Sequence, residues 1–492
     1  MKNPVIFHTR FRLVILLVIA LIYIIATVFS DGYHHFDEHY QIIEFAGLKA
    51  GWNDGSTLTW EYNAQIRPSL QPYIALIIIK LCNFTGIHNP FFIASVLRIL
   101  TGMLAVYAIS LFMRSFETLI NKENRIGFLF ISFCLWFLPI INIRFSSETW
   151  AGLFLLISVA LINLNKNGRL HYLTIGVLLG LSFEFRFQMA LCVVGIFFWL
   201  LLTRKIRLLD LFFICFGFVI VVIICTFLDY LYYESFNIVP YNYFKVNLLD
   251  NVASSYGVSP WYFYIIEILN RPSFFIGCTI LVSFILLILF KPKSLIVWCI
   301  IPYILAHIMI SHKETRFLFP LINFVPLMLI EAYQILFQKA QTFPKKSVRA
   351  TLLFIFFLWN FAGLLFIFKP AGYGQVNLAA YLYKNYYNGK RLDLYTTGFG
   401  PISFGTAKGG VSRFYMSEYF NNHVIEGSFI PYTSQKMFVA IPMYDSERRG
   451  ELERAGFVLK KSSIPAFLRK LNQVFHVYDD GYTLLLYVKE GK

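Results

Sequence analysis

Long apolar runs dominate this sequence and restrict the folds that it can adopt. About eleven stretches are long enough to cross a hydrocarbon core about 30 Å thick. They lie near residues 12–30, 91–113, 126–143, 149–164, 171–185, 188–203, 208–228, 272–290, 294–310, 317–337 and 350–368. Because 58% of the residues are hydrophobic and only 14% are charged, the runs predict an α-helical polytopic membrane protein with about 11 transmembrane helices (range about 10–13) and exclude a soluble multidomain enzyme.

The positive charges predict how these helices are oriented. The net charge is +16, but Lys and Arg fall in short clusters between the apolar runs, as orientation signals do. One shorter run, residues 73–81, contains Lys80 and is expected to lie at the interface instead of crossing. The basic clusters then share the side of the N-terminus, which places loops 31–90 and 229–271 on the extracytoplasmic face. No nucleic-acid partner is predicted.

The cysteines show no spacing that is typical of disulfides or metal sites. All seven lie in apolar segments, and none forms a CxxC pair. Such cysteines behave as small buried hydrophobic residues. We therefore expect neither a disulfide nor a metal site built on thiolates.

The composition changes after residue 370. Residues 371–492 combine short alternating runs, such as LDLYTT, MFVAIPMY and GYTLLLYVKE, with helical patterns near LAAYLYKNYY and SERRGELERAG. This mixture predicts a small extracytoplasmic α/β domain, whereas residues 1–370 form the transmembrane catalytic part. The sequence of the small domain shows no nucleophile elbow, P-loop or metal cluster, so its default role is structural support or acceptor contact.

Titratable residues are concentrated directly after the first apolar run, in HHFDEHYQIIE. Asp37 and Glu38 place two carboxylates near the membrane surface, where a lipid-borne phosphate and a hydroxyl acceptor can meet. A carboxylate there can act as the general base that deprotonates a hydroxyl nucleophile. Two plainer explanations stay open: polar caps at a helix end, or a metal site on His34, His35 and His39, whose HHxxxH spacing matches no strong signature.

A second polar group lies at the junction of two apolar runs, in HKETRFLFP. Ionisable groups at membrane depth are costly to bury and are therefore candidates for function. Fixed cations such as Lys313 and Arg316 can neutralise a phosphate and the anionic leaving group that develops from it. The plainer explanation is basic side chains that reach from a helix end to the interface.

Other loops on the same predicted face are also polar. Glu148 lies near Arg144 and Glu184 near Arg186, and each pair can be no more than a local ion pair. The loop 229–271 is rich in Tyr, Trp, Asn and Ser, a combination that favours a sugar-binding surface modestly over an ordinary aromatic belt.

Four segments resemble, in order, motifs of glycosyltransferase family 22, the polyprenyl-phosphate-mannose-dependent α-mannosyltransferases of the asparagine-linked-glycan and GPI-anchor pathways. HFDEHYQIIE is similar to that family's H-x-D-E-x-x-Q-x-x-E, and TWEY with IRPSLQP is similar to TWEW with IRS-x-x-x-P. The loop from LDYLYY to SSYGVSPWYFY resembles D-x-x-Y-Y … YG-x-x-PWxxY, and HKETRFLFPL resembles HKE-x-RFLFP. The resemblance covers roughly residues 10–370, with Phe36 where the family often has Pro or Gln.

The resemblance implies the GT-C membrane fold and an inverting transfer of mannose from polyprenyl (dolichyl) phosphate to a lipid-linked glycan or glycolipid, which gives an α-mannoside without a metal or other cofactor. It makes Asp37 the catalytic base and Glu38 its neighbour. Donor-phosphate binding is expected from Arg316, Lys313, His312, Arg186 and Arg144. Substrate contacts are expected from Trp60, Glu61, Arg67, Glu148, Asn242, Asn247, Tyr256, Trp261, Tyr264 and Glu314.

Two alternatives stay open. A GT-C transferase of another lipid-phosphate-linked sugar, such as aminoarabinose or galactose, would fit the same residues. A transporter would be expected to show inverted repeats and broken helices with a midplane site, whereas the polar residues here crowd one face. The Phe-, Ile-, Lys- and Asn-rich composition favours a bacterial plasma membrane over the endoplasmic reticulum.

Overall fold

The computed structural model describes residues 4–165, 168–339, 346–397, 412–416, 419–425 and 436–491. Its α-helices are α1 (Pro4–Phe29), α2 (Phe36–Glu38), α3 (Glu44–Ala50), α4 (Trp60–Asn63), α5 (Leu70–Phe84), α6 (Pro90–Phe116), α7 (Arg125–Cys134), α8 (Phe137–Asn142), α9 (Ser147–Leu164), α10 (Arg169–Phe185), α11 (Ala190–Trp199), α12 (Leu208–Tyr233), α13 (Val239–Phe244), α14 (Phe263–Asn270), α15 (Phe274–Phe290), α16 (Leu295–Met309), α17 (Val325–Gln334), α18 (Lys346–Leu364), α19 (Gln375–Tyr386), α20 (Arg413–Met416), α21 (Ser446–Arg454) and α22 (Ala466–Phe475). Segments of 3-10 helix lie at Glu117–Leu119, Lys122–Asn124, Phe187–Met189, Val252–Tyr256, Thr315–Phe324, Leu365–Phe368 and Asp480–Tyr482, and π-helical segments lie at His39–Ile43, Leu200–Arg204, Lys245–Leu249 and Ile335–Lys339.

The chain divides into two compact units. The helical unit consists of Met1–Ala26, Pro68–Leu70 and Ile99–Ile367. The loop-and-sheet unit consists of Thr27–Arg67, Gln71–Arg98 and Phe368–Lys492. Most of the first polar loop is therefore grouped with the C-terminal part of the chain.

Several helices can cross a membrane. Among the described residues, six helical stretches are long and apolar enough by length and composition: Pro90–Leu119, Ser147–Leu164, Phe187–Arg204, Leu208–Tyr233, Thr315–Phe337 and Ser347–Phe368. A seventh results if α15 and α16, which are bent by 118° at a short break, form one span. The predicted polytopic membrane protein is confirmed. The number of eleven spans stays a prediction.

Glycines allow helices of the helical unit to pack backbone against backbone. A Cβ added to Gly176 of α10 would lie 2.0 Å from the carbonyl oxygen of Ile214 in α12. One added to Gly195 of α11 would lie 2.0 Å from the carbonyl oxygen of Trp298 in α16. Small residues at such contacts are how helices approach closely in a membrane, where lipid is as apolar as the side chains.

Among the described residues, a five-stranded sheet lies at the centre of the C-terminal part, which confirms the small α/β domain predicted there. Its strands are β1 (Leu392–Thr396), β2 (Phe420–Val424), β3 (Met437–Pro442), β4 (Val458–Ser462) and β5 (Leu484–Lys489), in the order β2-β1-β3-β5-β4. β1 pairs in parallel with β2 and β3, and β5 pairs antiparallel with β3 and β4. Residues 398–411, 417–418 and 426–435 of the predicted domain lie outside the described residues.

Both faces of β3 and β5 are buried, which explains why their sequences are continuously apolar and not alternating as predicted. Alternate residues of a strand point to opposite faces. Phe438 and Ala440 of β3 pack in one core with Tyr33 and Tyr40 of the first loop. Met437, Val439 and Ile441 pack in a second core with Leu452 of α21 and Phe457. The first loop and the sheet thus share one hydrophobic core.

We predict that Gly176→Leu destabilises the helical unit by about 2 kcal/mol or more, because the added side chain must push α10 away from α12. The matched control is Gly127→Ala in α7, where an added Cβ meets nothing within 4 Å and helix propensity favours Ala. Thermal unfolding of the purified protein in detergent measures both. Equal melting temperatures for the two variants would contradict the close packing.

Candidate functional site

A network of buried ions lies at the ends of several helices in the helical unit. Glu148, in the first turn of α9, accepts hydrogen bonds from Nη1 of Arg186 at 2.7 Å and from Nη1 of Arg316 at 3.1 Å. Nε and Nη2 of Arg316 donate to the two carboxylate oxygens of Glu314 at 2.6 and 2.9 Å. We call Glu148, Arg186, Glu314 and Arg316 the arginine cluster. Two carboxylates and two guanidinium groups balance its charge.

An aromatic ring accompanies the two guanidinium groups. The Cζ atoms of Arg186 and Arg316 lie 5.0 and 5.5 Å from the centroid of the Phe317 ring. At these distances the ring attracts both cations. Burial opposes the charge on Arg186, but the Glu148 carboxylate together with the Tyr303 and Tyr243 side chains offsets burial, so the pKa of Arg186 is raised. Both arginines therefore remain cationic.

His312 and Lys313 connect the HKETRF segment to the long loop. Nε2 of His312 lies 3.0 Å from Oε1 of Glu314, and its Nδ1 lies 3.1 Å from the carbonyl oxygen of Gly257. Nζ of Lys313 donates to the carbonyl oxygens of Ser259 and Ile310. Burial lowers the pKa of Lys313. Both side chains hold loop 229–271 through its backbone.

The other predicted residues of the helical unit differ in exposure. Arg144, which precedes α9, and Tyr264 of α14 are buried, whereas Tyr256 and Trp261 are exposed. The Tyr256 ring lies 6.1 Å from the His312 ring. Asn242 lies in α13, and Asn247 donates from its side chain to the carbonyl oxygen of Tyr243. The long loop therefore offers both buried and exposed polar aromatic residues beside the HKETRF segment.

Glu184 and Arg186 do not form the local ion pair that the sequence left open as an alternative. Arg186 pairs with Glu148, because the chain leaves α10 at Arg186 with an extended backbone (φ −156°, ψ 108°) that ends the helical spacing. Glu184 is buried and interacts electrostatically with Asp229 of α12. The Asp229 carboxylate accepts hydrogen bonds from the backbone N–H and the hydroxyl of Ser69.

Asp37 lies in the loop-and-sheet unit, with the other residues of the first motifs around it. Its carboxylate is partly exposed, 3.8 Å from Nη2 of Arg67 and 3.6 Å from Nδ1 of His35. Arg67 also lies 3.4 Å from Oε1 of Glu61, which accepts a hydrogen bond from Gln41. The structure thus brings HFDEHYQIIE, TWEY and IRPSLQP to one place. A partly exposed carboxylate of this kind can act as a general base.

The neighbours of Asp37 have different environments. Glu38 is buried, and its carboxylate accepts a hydrogen bond from the backbone N–H of His34 at 2.8 Å. The Trp60 side chain is 39% exposed, whereas Glu61 is buried. Glu38 therefore supports the fold of the loop, and Trp60 offers an aromatic surface of the kind that sugars bind.

The third histidine of HHxxxH is part of a tie between the loop and the C-terminal domain. Both Oε1 of Glu44 and Oγ of Ser412 lie 2.7 Å from Nε2 of the buried His39. Glu44 also accepts hydrogen bonds from Asn53 and from the backbone N–H of Phe414. Within the described residues, no group of three or more His, Cys, Asp and Glu side chains could hold a metal ion. Glu44 is the last residue of the HFDEHYQIIE motif, but the sequence analysis gave it no role and did not single out Ser412, since no motif connects the two residues.

Comparison with known proteins agrees with this architecture. ArnT from Cupriavidus metallidurans bound to undecaprenyl phosphate superposes with a TM-score of 0.56 at 9% sequence identity, covering 98% of both chains. The apo state of the same protein gives a TM-score of 0.53, also at 9% identity and 98% of both chains. No curated protein sequence matches this chain. The fold is that of the GT-C glycosyltransferases.

The sequence comparison defines the family. The Alg9-like mannosyltransferase family matches residues 14–385, which is most of the chain. The chain belongs to the Alg9-like mannosyltransferase family and is a glycosyltransferase. The fold and class that the motifs implied are confirmed.

We predict that Glu148→Gln lowers the free energy of unfolding by about 3 kcal/mol, because two buried guanidinium groups lose the carboxylate that they share. The control is Glu117→Gln, since the Glu117–Arg125 pair is exposed and such pairs contribute about 1 kcal/mol or less. Denaturant titration in detergent micelles compares them. Similar losses for both variants would show that the arginine cluster does not stabilise the unit.

Proposed function

We propose that this glycosyltransferase transfers mannose from polyprenyl-phosphate-mannose to a lipid-linked glycan or glycolipid. The observation that carries the proposal is the partly exposed Asp37 carboxylate, grouped with Arg67, Glu61 and Gln41. The family supports mannose as the sugar. The structure of ArnT, whose fold this chain shares, was solved with undecaprenyl phosphate, which supports a polyprenyl phosphate as the leaving group.

In the proposed reaction, Asp37 removes the proton from an acceptor hydroxyl as the hydroxyl oxygen attacks C1 of the sugar. The bond between C1 and the phosphate oxygen breaks, and attack opposite the leaving group inverts the anomeric centre. A positioned carboxylate of this kind contributes about 10²–10⁴-fold to the rate. Arg67 and His35 orient the carboxylate.

The phosphate is assigned to Arg186 and Arg316. The donor is a phosphodiester with one negative charge, and the departing polyprenyl phosphate carries a second. Guanidinium groups held in place before the reaction stabilise charge that develops on the leaving group. Lys313 and His312 contribute by holding the long loop, and Arg144 contributes a further buried cation. We assign sugar and acceptor contacts to Trp60, Tyr256, Trp261 and Tyr264.

The remaining features of the proposal follow from the family resemblance. The transfer proceeds without a metal ion and gives an α-mannoside. The enzyme is an integral membrane protein, and we place it in a bacterial plasma membrane with the loops that carry the site on the extracytoplasmic face.

We predict that Asp37→Asn lowers kcat at least about 100-fold while donor binding is retained, because the amide cannot accept the acceptor proton. Asp54→Asn is the matched control: the same change of charge in the same loop, at an exposed turn where Asp54 accepts hydrogen bonds from Ser56. Transfer from synthetic polyprenyl-phosphate-mannose in detergent gives both rates. Near-wild-type activity of Asp37→Asn would remove the proposed base.

We predict that the wild-type enzyme prefers a mannose donor to otherwise identical galactose and aminoarabinose donors by at least about tenfold in kcat/KM. A hydrogen-bonding site that leaves its polar groups unpaired with the wrong sugar discriminates strongly. The measurement is a competition assay with the three polyprenyl-phosphate sugars. A preference for another sugar would leave the reaction class standing and replace mannose in the proposal.

A further inference from the structure

His307, which the motifs do not include, lies near the C-terminal end of α16 and is 2% exposed. Its Nδ1 lies 2.8 Å from the carbonyl oxygen of Tyr303. Because a carbonyl oxygen can only accept a hydrogen bond, Nδ1 carries a proton. The ring also stacks on the Tyr303 ring, with centroids 4.0 Å apart. These contacts fix both the tautomer and the orientation of the imidazole.

The other ring nitrogen is an acceptor. A positive charge on this buried ring is unfavourable, because the ring is removed from water and because the Arg186 guanidinium acts on it electrostatically. The ring is therefore neutral, and Nε2 carries a lone pair. Among the described residues, Nε2 has no hydrogen-bond partner although it is buried. A buried acceptor without a donor is costly.

Arg186 supplies the complementary group. Its Nη1 binds Glu148, but its buried Nε, a donor, has no hydrogen-bond partner among the described residues. Arg186 and His307 lie beside the same ring: the Cζ of Arg186 is 5.0 Å and the His307 ring centroid 5.9 Å from the centroid of Phe317. One buried donor and one buried acceptor therefore lie beside the same aromatic ring in the helical unit.

We propose that Nε2 of His307 and Nε of Arg186 form a subsite that binds one hydroxyl group of the transferred sugar. A hydroxyl both donates and accepts, so it satisfies the two nitrogens together. An ionised phosphodiester has no proton to donate to Nε2. The proposal rests on the proposed function, because the sugar is bonded to the phosphate that we assign to Arg186. Pairing of both nitrogens makes His307 a specificity-determining residue.

Two variants separate hydrogen bonding from packing. His307→Phe keeps a ring against Tyr303 but removes Nε2, whereas His307→Gln keeps an acceptor oxygen at similar reach. The donors are the parent sugar and its analogues that lack one hydroxyl each. For one analogue, we expect kcat/KM of the wild type to fall about 10- to 100-fold. With His307→Phe, we expect kcat/KM for the parent donor to fall by a similar factor and kcat/KM for that analogue to fall no further. With His307→Gln, we expect most of the preference for the parent donor over the analogue to return.

The subsite is overturned if His307→Phe distinguishes the donor analogues as the wild type does. It is also overturned if the effect of His307→Phe depends on a missing hydroxyl of the acceptor and not of the donor. A second measurement needs no variant that might misfold. Fluorine in place of the hydroxyl cannot donate to Nε2, so the wild type should lose a comparable factor with the fluorinated donor. Equal rates with fluorinated and parent donors at every position would contradict the proposal. Wild-type transfer of the parent sugar tests the proposed function separately.

Discussion

The shared carboxylate of Glu148 is the interaction on which the site in the helical unit depends. Two guanidinium groups at the ends of apolar helices would be costly to bury alone. Because Arg186 and Arg316 both bind Glu148, three segments that are far apart in the sequence meet at one point. Glu314 then binds the remaining edge of Arg316, and His312 binds Glu314. The HKETRF segment is polar because each of these side chains supplies a hydrogen-bond or ion-pair partner to its neighbour.

A different device supports the loop that carries Asp37. The buried Glu44, with hydrogen bonds from Asn53 and Phe414, joins the loop to the C-terminal domain through His39 and Ser412. The apolar core shared by the loop and the sheet completes the connection. The small domain thus has a structural role: it gives a polar loop the hydrophobic core that the loop is too short to form by itself. The loop that this core and these hydrogen bonds hold in place carries Asp37, whose carboxylate stays partly exposed.

The spacing of apolar residues along single elements predicts much of this structure. The parts that it does not predict depend on contacts between residues far apart in the sequence. Long apolar runs predicted the membrane helices, and the short runs LDLYTT, MFVAIPMY and GYTLLLYVKE predicted β1, β3 and β5, because the length and spacing of apolar residues along one element indicate how it is buried. The structure also brings Asp37, Glu61 and Arg67, which lie in three separate motifs, within ion-pair distance of one another through Arg67. In contrast, the sequence left open a local ion pair between Arg186 and Glu184, whereas Arg186 binds Glu148, 38 residues away. Tertiary contacts determine the hydrogen bond between His39 and Ser412 and bring His307 and Arg186 to the same ring. The spacing of residues along one element cannot predict such contacts.

The charge balance of the arginine cluster bears on how such a site can favour a transition state over a bound donor. If Arg186 and Arg316 lacked acidic partners, they would bind the singly charged phosphodiester strongly, and tight ground-state binding does not raise kcat. Glu148 and Glu314 compete with the donor for the same guanidinium groups and so moderate that binding. They also keep the groups oriented, so that no reorganisation is needed when the phosphate gains its second charge. In the proposed reaction, Glu148 and Glu314 therefore make the two arginines stabilise the leaving phosphate more than they stabilise the bound donor.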